Sequence, residues 1–190
     1  MNRRTFLMIG AGAATWMLAG LRPARADLEP DGLSKIYRRY RLMIVGQRDD
    51  EDGIALAGAV VSTLAKFLPA SRAQLARAED ARRVGVLIGT NQQDVAIMAA
   101  DSANALFLAK APFDDMRNVP LRLIVSFRSH VLVCRADLKA NQVYLLAQTL
   151  TEHEDALPLP AGVPSGVVPT HPGSLAYFAG DTMPNSSTTG

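Results

Sequence analysis

The sequence predicts an α/β fold: one lobe with a mixed or mostly parallel sheet and helices on both faces. Three observations carry this. Short apolar runs alternate with amphipathic stretches of about ten residues, the pattern of strands linked by helical crossovers. Glycine, proline and acidic residues punctuate the alternation where strands and helices should end. A chain of 190 residues with 48% hydrophobic and 20% charged content has enough apolar material for one sizeable core.

The N-terminal 26 residues read as an export signal rather than as fold. Arg3 and Arg4 precede Phe6-Leu7, a weakly apolar Gly/Ala stretch runs from Met8 to Leu21, and Ala24-Arg25-Ala26 offers small residues for cleavage. This resembles a twin-arginine signal, the alternative being a plain Sec signal or a lipid-free anchor, and the expected location of the mature protein is the periplasm. Cleavage removes four arginines, taking Lys and Arg from 20 to 16 against 18 acids, so the net charge moves from +2 to −2. Nucleic acid and anionic membranes are therefore poor partners. Residues 27–39 read as a linker, 40–184 as the lobe and 185–190 as a disordered tail.

Along the lobe, Arg41-Leu42-Met43-Ile44-Val45 is a short apolar run ending at Gly46, as a buried parallel strand should. Gln47 to Gly53 reads as a charged loop, and from Ile54 to Leu68 the apolar positions follow helical spacing until Pro69. Ala73 to Ala78 alternates weakly as a second strand. Glu79 to Ile88 reads as a helix with acids at its start, ended by Gly89. Asp94 to Met98 is a third strand. Asp101-Ser102 caps an Ala-rich helix reaching about Lys110. Leu121 to Phe127 and Val131 to Arg135 are two further strands around Arg128-Ser129-His130.

Gln142 to Glu152 is helical, with Val143, Leu146, Ala147 and Leu150 on one face. Four prolines and two glycines make 156–169 a rigid irregular connection. In the run that follows, Pro172 suits the first turn of a short helix capped by His171 or Thr170. The single cysteine, Cys134, lies in a strand-like apolar run and reads as a buried, inert thiol.

No enzyme is legible. The three histidines lack metal-ligand spacing, no Ser-His-Asp set is brought together by sequence, and there is no phosphate-binding glycine loop. Nothing calls for a cofactor. In Asp49-Asp50-Glu51-Asp52-Gly53 the alternation of Asp50 and Asp52 before a glycine is similar to the start of a hard-cation loop, without its later bidentate Glu. The alternative is a solvated acidic loop. Ala99-Ala100-Asp101-Ser102 ends a strand and opens a helix at the sheet edge where α/β proteins bind small anions; the alternative is a plain N-cap.

Three segments carry a family resemblance. Ile88-Gly89, Gln93-Asp94-Val95-Ala96-Ile97-Met98 and Asp101 form the first. Ala111-Pro112-Phe113 with Leu121 to Val125 and Val131 to Val133 form the second. Val168-Pro169-Thr170-His171-Pro172-Gly173-Ser174-Leu175-Ala176-Tyr177 is the third and most specific. Together they resemble the TAXI-type solute receptors of TRAP transporters, over about residues 40–180.

The resemblance implies a type II periplasmic-binding-protein fold, in which two α/β lobes close on an acidic solute and C-terminal helices return to lobe one. Two lobes need roughly 100–150 residues each, and the 164 residues beyond the signal cannot supply them. The implied protein keeps lobe one and lacks lobe two. It also replaces the family's glycine-rich ligand loop with the acidic 47–53 run and has Ala99-Ala100 where the family has Gln-Ser.

The resulting expectation is a single-lobe solute-binding protein. Its small solute, carboxylates included, would sit among Gln47, Asp101, Ser102, Arg128 and Ser129, with Asp50 and Asp52 as a cation alternative. The candidate partners are TRAP membrane subunits, another periplasmic protein, or a second copy of the chain. The competing expectation is an accessory module that docks on a periplasmic enzyme or transporter.

Overall fold

Period-two alternation in the strands sorts their side chains onto the two faces of one sheet. In the computed structural model, which describes residues 41–185, the strands are β1 (Met43–Gln47), β2 (Gln74–Ala78), β3 (Val95–Ala99), β4 (Leu121–Phe127) and β5 (His130–Arg135). They lie in the order β2-β1-β3-β5-β4. β1 pairs in parallel with β2 and β3, while β5 is antiparallel to both β3 and β4. The sheet is therefore mixed, and β1, β3 and β4 run in one direction and end at one edge.

Helices cover both faces, as expected. Ile44, Val95, Ile97, Leu132 and Cys134 face a core layer closed by α1 (Glu51–Phe67) and α4 (Ala140–Glu152). Val45, Ala96, Met98, Val131 and Val133 face the opposite layer, closed by α2 (Ala81–Gly89), α3 (Ala100–Phe107) and Phe113. A register shift between Leu123 and Val125 turns both Ile124 and Val125 toward the layer closed by α1 and α4. Cys134 is completely buried, and loss of hydration pushes its thiol far above the usual range.

The last helix, α5 (Pro172–Ala179), is fixed by the four residues that open it. His171 is the N-cap, accepting from Gly173 N–H at 3.1 Å through Nδ1 and donating from Nε2 to the Leu138 carbonyl at 2.9 Å. Pro172 occupies the first turn, where no amide is needed. Gly173 lies so close to α4 that a Cβ would sit 2.1 Å from the Ala140 carbonyl oxygen. Ser174 Oγ donates to the Ile124 carbonyl at 2.8 Å. The expected cap is thus also a clamp joining α5 to α4 and β4.

The proline-rich connection has a job as well. Gly162 exchanges backbone hydrogen bonds with Ser126, and Leu123 does so with Pro169 and His171, covering the outer edge of β4.

Several expected boundaries move; the helix expected from Glu79 begins at Ala81, behind its cap Asp80, and the one expected to reach about Lys110 ends at Phe107. The helix expected from Ile54 begins at Glu51, because Asp50 caps it and the following acids occupy its first turn, where the dipole favours them. Asp101 and Ser102 lie inside the first turn of α3 rather than capping it: Ala99 is the N-cap, with no side-chain cap bond. The helix expected from Gln142 begins at Ala140. The export signal, the linker and the tail beyond residue 185 lie outside the described residues. Among the described residues no helix is long and apolar enough to cross a membrane.

Candidate functional site

Because β1 and β3 end at the edge where the two-residue hairpin Arg128-Ser129 turns β4 into β5, three chain segments distant in sequence meet there. They surround an open cleft of about 590 Å³ lined by Gln47, Asp49, Asp50, Ala99, Ala100, Asp101, Arg128, Ser129 and His130. Of the five expected solute-binding residues, Gln47, Asp101, Arg128 and Ser129 line it. Ser102 does not; it follows Asp101 in the first turn of α3.

The floor is a hydrogen-bonded chain. Asp50 accepts from Gly53 N–H at 2.8 Å, which caps α1, and its other oxygen lies 2.8 Å from His130 Nε2. His130 is 6% exposed, and its Nδ1 lies 3.0 Å from Ser129 Oγ. An ionised Asp50 can only accept, so it fixes the neutral imidazole with the proton on Nε2, leaving Nδ1 to accept from the serine hydroxyl. Gly53 makes the approach possible, since a Cβ there would meet the Asp50 carboxylate at 2.5 Å and His130 Nε2 at 3.1 Å.

The acidic run is therefore a cap and a helix start, not a free loop. Asp50 is held by Gly53, His130 and Gln47, and Asp52 is exposed on the first turn of α1. Among the described residues no group of three or more histidine, cysteine or acidic side chains could hold a metal. The cation alternative at Asp50 and Asp52 gains no third ligand.

Two features of the walls are left open. Gln47 is 8% exposed; its Nε2 donates to Asp50 at 3.4 Å, but Oε1 has no hydrogen-bond partner. An unsatisfied buried acceptor costs about 1–3 kcal/mol. On the facing wall Ala100 N–H donates to the Ser129 carbonyl at 2.9 Å, while no side chain caps the next amides, those of Asp101 and Ser102. Arg128 stands beside them with φ +32°, a left-handed conformation unusual for a residue with a Cβ.

Scans of protein-family models and of curated proteins return no match to this chain.

A smaller hollow of about 290 Å³ lies by the start of β3, between Asn91, Asp94, Asp137, Leu138, Lys139 and Gln142. Burial and then the neighbouring Asp137 push the Asp94 carboxyl upward. Arg135 already engages Asp137 at 3.0 and 3.1 Å, which leaves that hollow less to offer a ligand.

Sequence reasoning missed His130, which it treated as a turn residue between two strands. The only signal was its place beside Arg128-Ser129; its partner Asp50 lies 80 positions away.

Proposed function

We propose that this chain is an exported, single-lobe solute-binding protein of the TAXI type. Its ligand is a small solute with an anionic group and a hydrogen-bond donor. The anion lies against the first-turn amides of α3 and the Arg128 guanidinium. The donor, an ammonium or hydroxyl, satisfies Gln47 Oε1 and faces Asp49 and Asp101. A plain dianion is disfavoured because the same cleft carries three carboxylates.

The observation that carries the reading is the buried, unpartnered Gln47 Oε1 on the wall of a cleft that also holds an uncapped helix start. The left-handed Arg128 adds weight, since residues held in costly backbone conformations cluster at ligand sites. The resemblance in the Val168–Tyr177 segment supports the receptor class. An open cleft leaves part of the solute in water, so a covering partner, a membrane subunit or a second copy belongs to this reading.

The test is a thermal-shift and calorimetric panel of amino acids, hydroxy acids and dicarboxylates on the chain without its leader. A saturable shift that is weakened at least tenfold by Arg128→Ala and by Gln47→Leu supports the reading. Absence of any shift across the panel at millimolar concentration overturns it.

A further inference from the structure

The hydrogen-bonded chain on the cleft floor has a chemistry that solute binding does not use. We propose that Ser129 is a nucleophile, with His130 as its general base and Asp50 as a positioning residue, and that the cleft hydrolyses small carboxylic esters. Three observations carry this. Ser129 Oγ, His130 and Asp50 stand in order at 3.0 and 2.8 Å. Asp50 fixes the tautomer that leaves Nδ1 free to take a proton. Ser129 is exposed to the cleft while His130 and Asp50 are largely shielded, with side chains 7% and 18% exposed.

The same hairpin brings an electrophilic partner. The Ser129 carbonyl is docked on the first amide of α3, so Ser129 borders a helix start whose Asp101 and Ser102 amides have no side-chain cap. Such amides, with the helix dipole, stabilise charge developing on an oxyanion.

The reaction balances with water as the only co-reactant. The Ser129 Oγ lone pair forms a bond to the acyl carbon as its proton passes to His130 Nδ1, and the carbonyl π pair moves onto oxygen. The oxyanion collapses, the ester C–O bond breaks, and the leaving alkoxide takes the proton from Nδ1. Water then attacks the acyl-serine by the same route, releasing a carboxylic acid and restoring the hydroxyl. Asp50 faces His130 throughout and stabilises the imidazolium. The other charged groups of the cleft are Asp49, Asp101 and Arg128.

The test uses a fluorophosphonate probe with intact-mass and peptide analysis, together with p-nitrophenyl acetate turnover. The expected result is one covalent adduct on Ser129, absent from Ser129→Ala, and turnover reduced about a hundredfold or more in Ser129→Ala and His130→Gln. Asp50→Asn keeps an equally good helix cap; its thermal melt should stay near the parent while kcat falls at least about tenfold with KM little changed, because the imidazolium formed in the transition state loses its anionic partner. A role confined to holding the hairpin would lower the melt and leave the kcat of the folded variant in place.

No adduct on the parent protein, or labelling that survives Ser129→Ala or His130→Gln at the parent rate, overturns the proposal. So does a parent-like kcat in Asp50→Asn. Solute-induced shifts are measured with non-hydrolysable acids, so either reading can fail without the other.

Discussion

Replacing Gly173 with alanine tests whether the His171–Ser174 segment is a clamp. An ideal Cβ at this position lies 2.1 Å from the Ala140 carbonyl oxygen and 3.0 Å from Ala140 C and Tyr144 N. Ordinary carbon–oxygen contact is well over 3 Å, so α5 must withdraw from α4 by about 1 Å; the obstacle is backbone and no side chain can rotate away. Retreat also pulls on His171 and Ser174, whose bonds to Leu138 and Ile124 are set by the same approach. Overpacking of this kind costs about 1–3 kcal/mol, and a backbone obstacle belongs at the upper end. Alanine's better helix propensity returns about 1 kcal/mol at most. The expected net loss is about 2 kcal/mol, or roughly 4–8 °C in Tm for a domain of this size. Urea and thermal unfolding followed by circular dichroism measure it. A Tm within a degree of the parent, or above it, would refute the close approach and the clamp with it.

Other consequences follow from groups already placed. Burial, outweighing the help of backbone hydrogen bonds, holds His171 below its ordinary pKa of 6.5. Above that value the contribution is complete. As pH falls below it the unfolded chain gains a proton that the fold refuses, and stability drops by at most about 1.4 kcal/mol per pH unit. Urea midpoints between pH 7 and 5 should show this slope in the parent and a smaller one in His171→Asn; equal slopes would contradict it. Cys134, buried and with its thiol pushed far up, should resist a thiol reagent in the native protein and react in full in denaturant. Rapid native labelling would place it elsewhere. Arg128→Gly should raise Tm slightly by relieving the positive φ, since it removes about 1 kcal/mol of strain, while weakening solute binding. A lowered Tm would mean that the guanidinium, not the turn, holds the hairpin.

The sheet was legible because its strands are short, apolar and bounded by glycine, proline or acids, and because the intervening helices keep their period. Boundaries slipped where local composition pointed away from the tertiary answer. Four consecutive acids read as a solvated loop, yet Asp50 is a cap, the acids after it suit a helix start, and Asp50 is also hydrogen-bonded to His130 from across the fold. The first turn of α3 begins at Ala100, because the amide there is satisfied by the Ser129 carbonyl rather than by a side chain. Most of the cleft was legible too, since the ends of parallel strands share an edge whatever their sequence separation. The pairing of residues 50 and 130 was not; no local pattern encodes a contact made by a hairpin 80 positions downstream.

The most direct test of the solute site is a two-dimensional amide NMR titration of the chain without its leader, using the best ligand from the binding panel. The account predicts that the largest shifts fall on the backbone amides of Asp101 and Ser102, on the Gln47 side-chain amide and on Arg128, with one common dissociation constant. Shifts centred on the hollow beside Asp94 and Asp137, or spread without saturation over the surface, would contradict it.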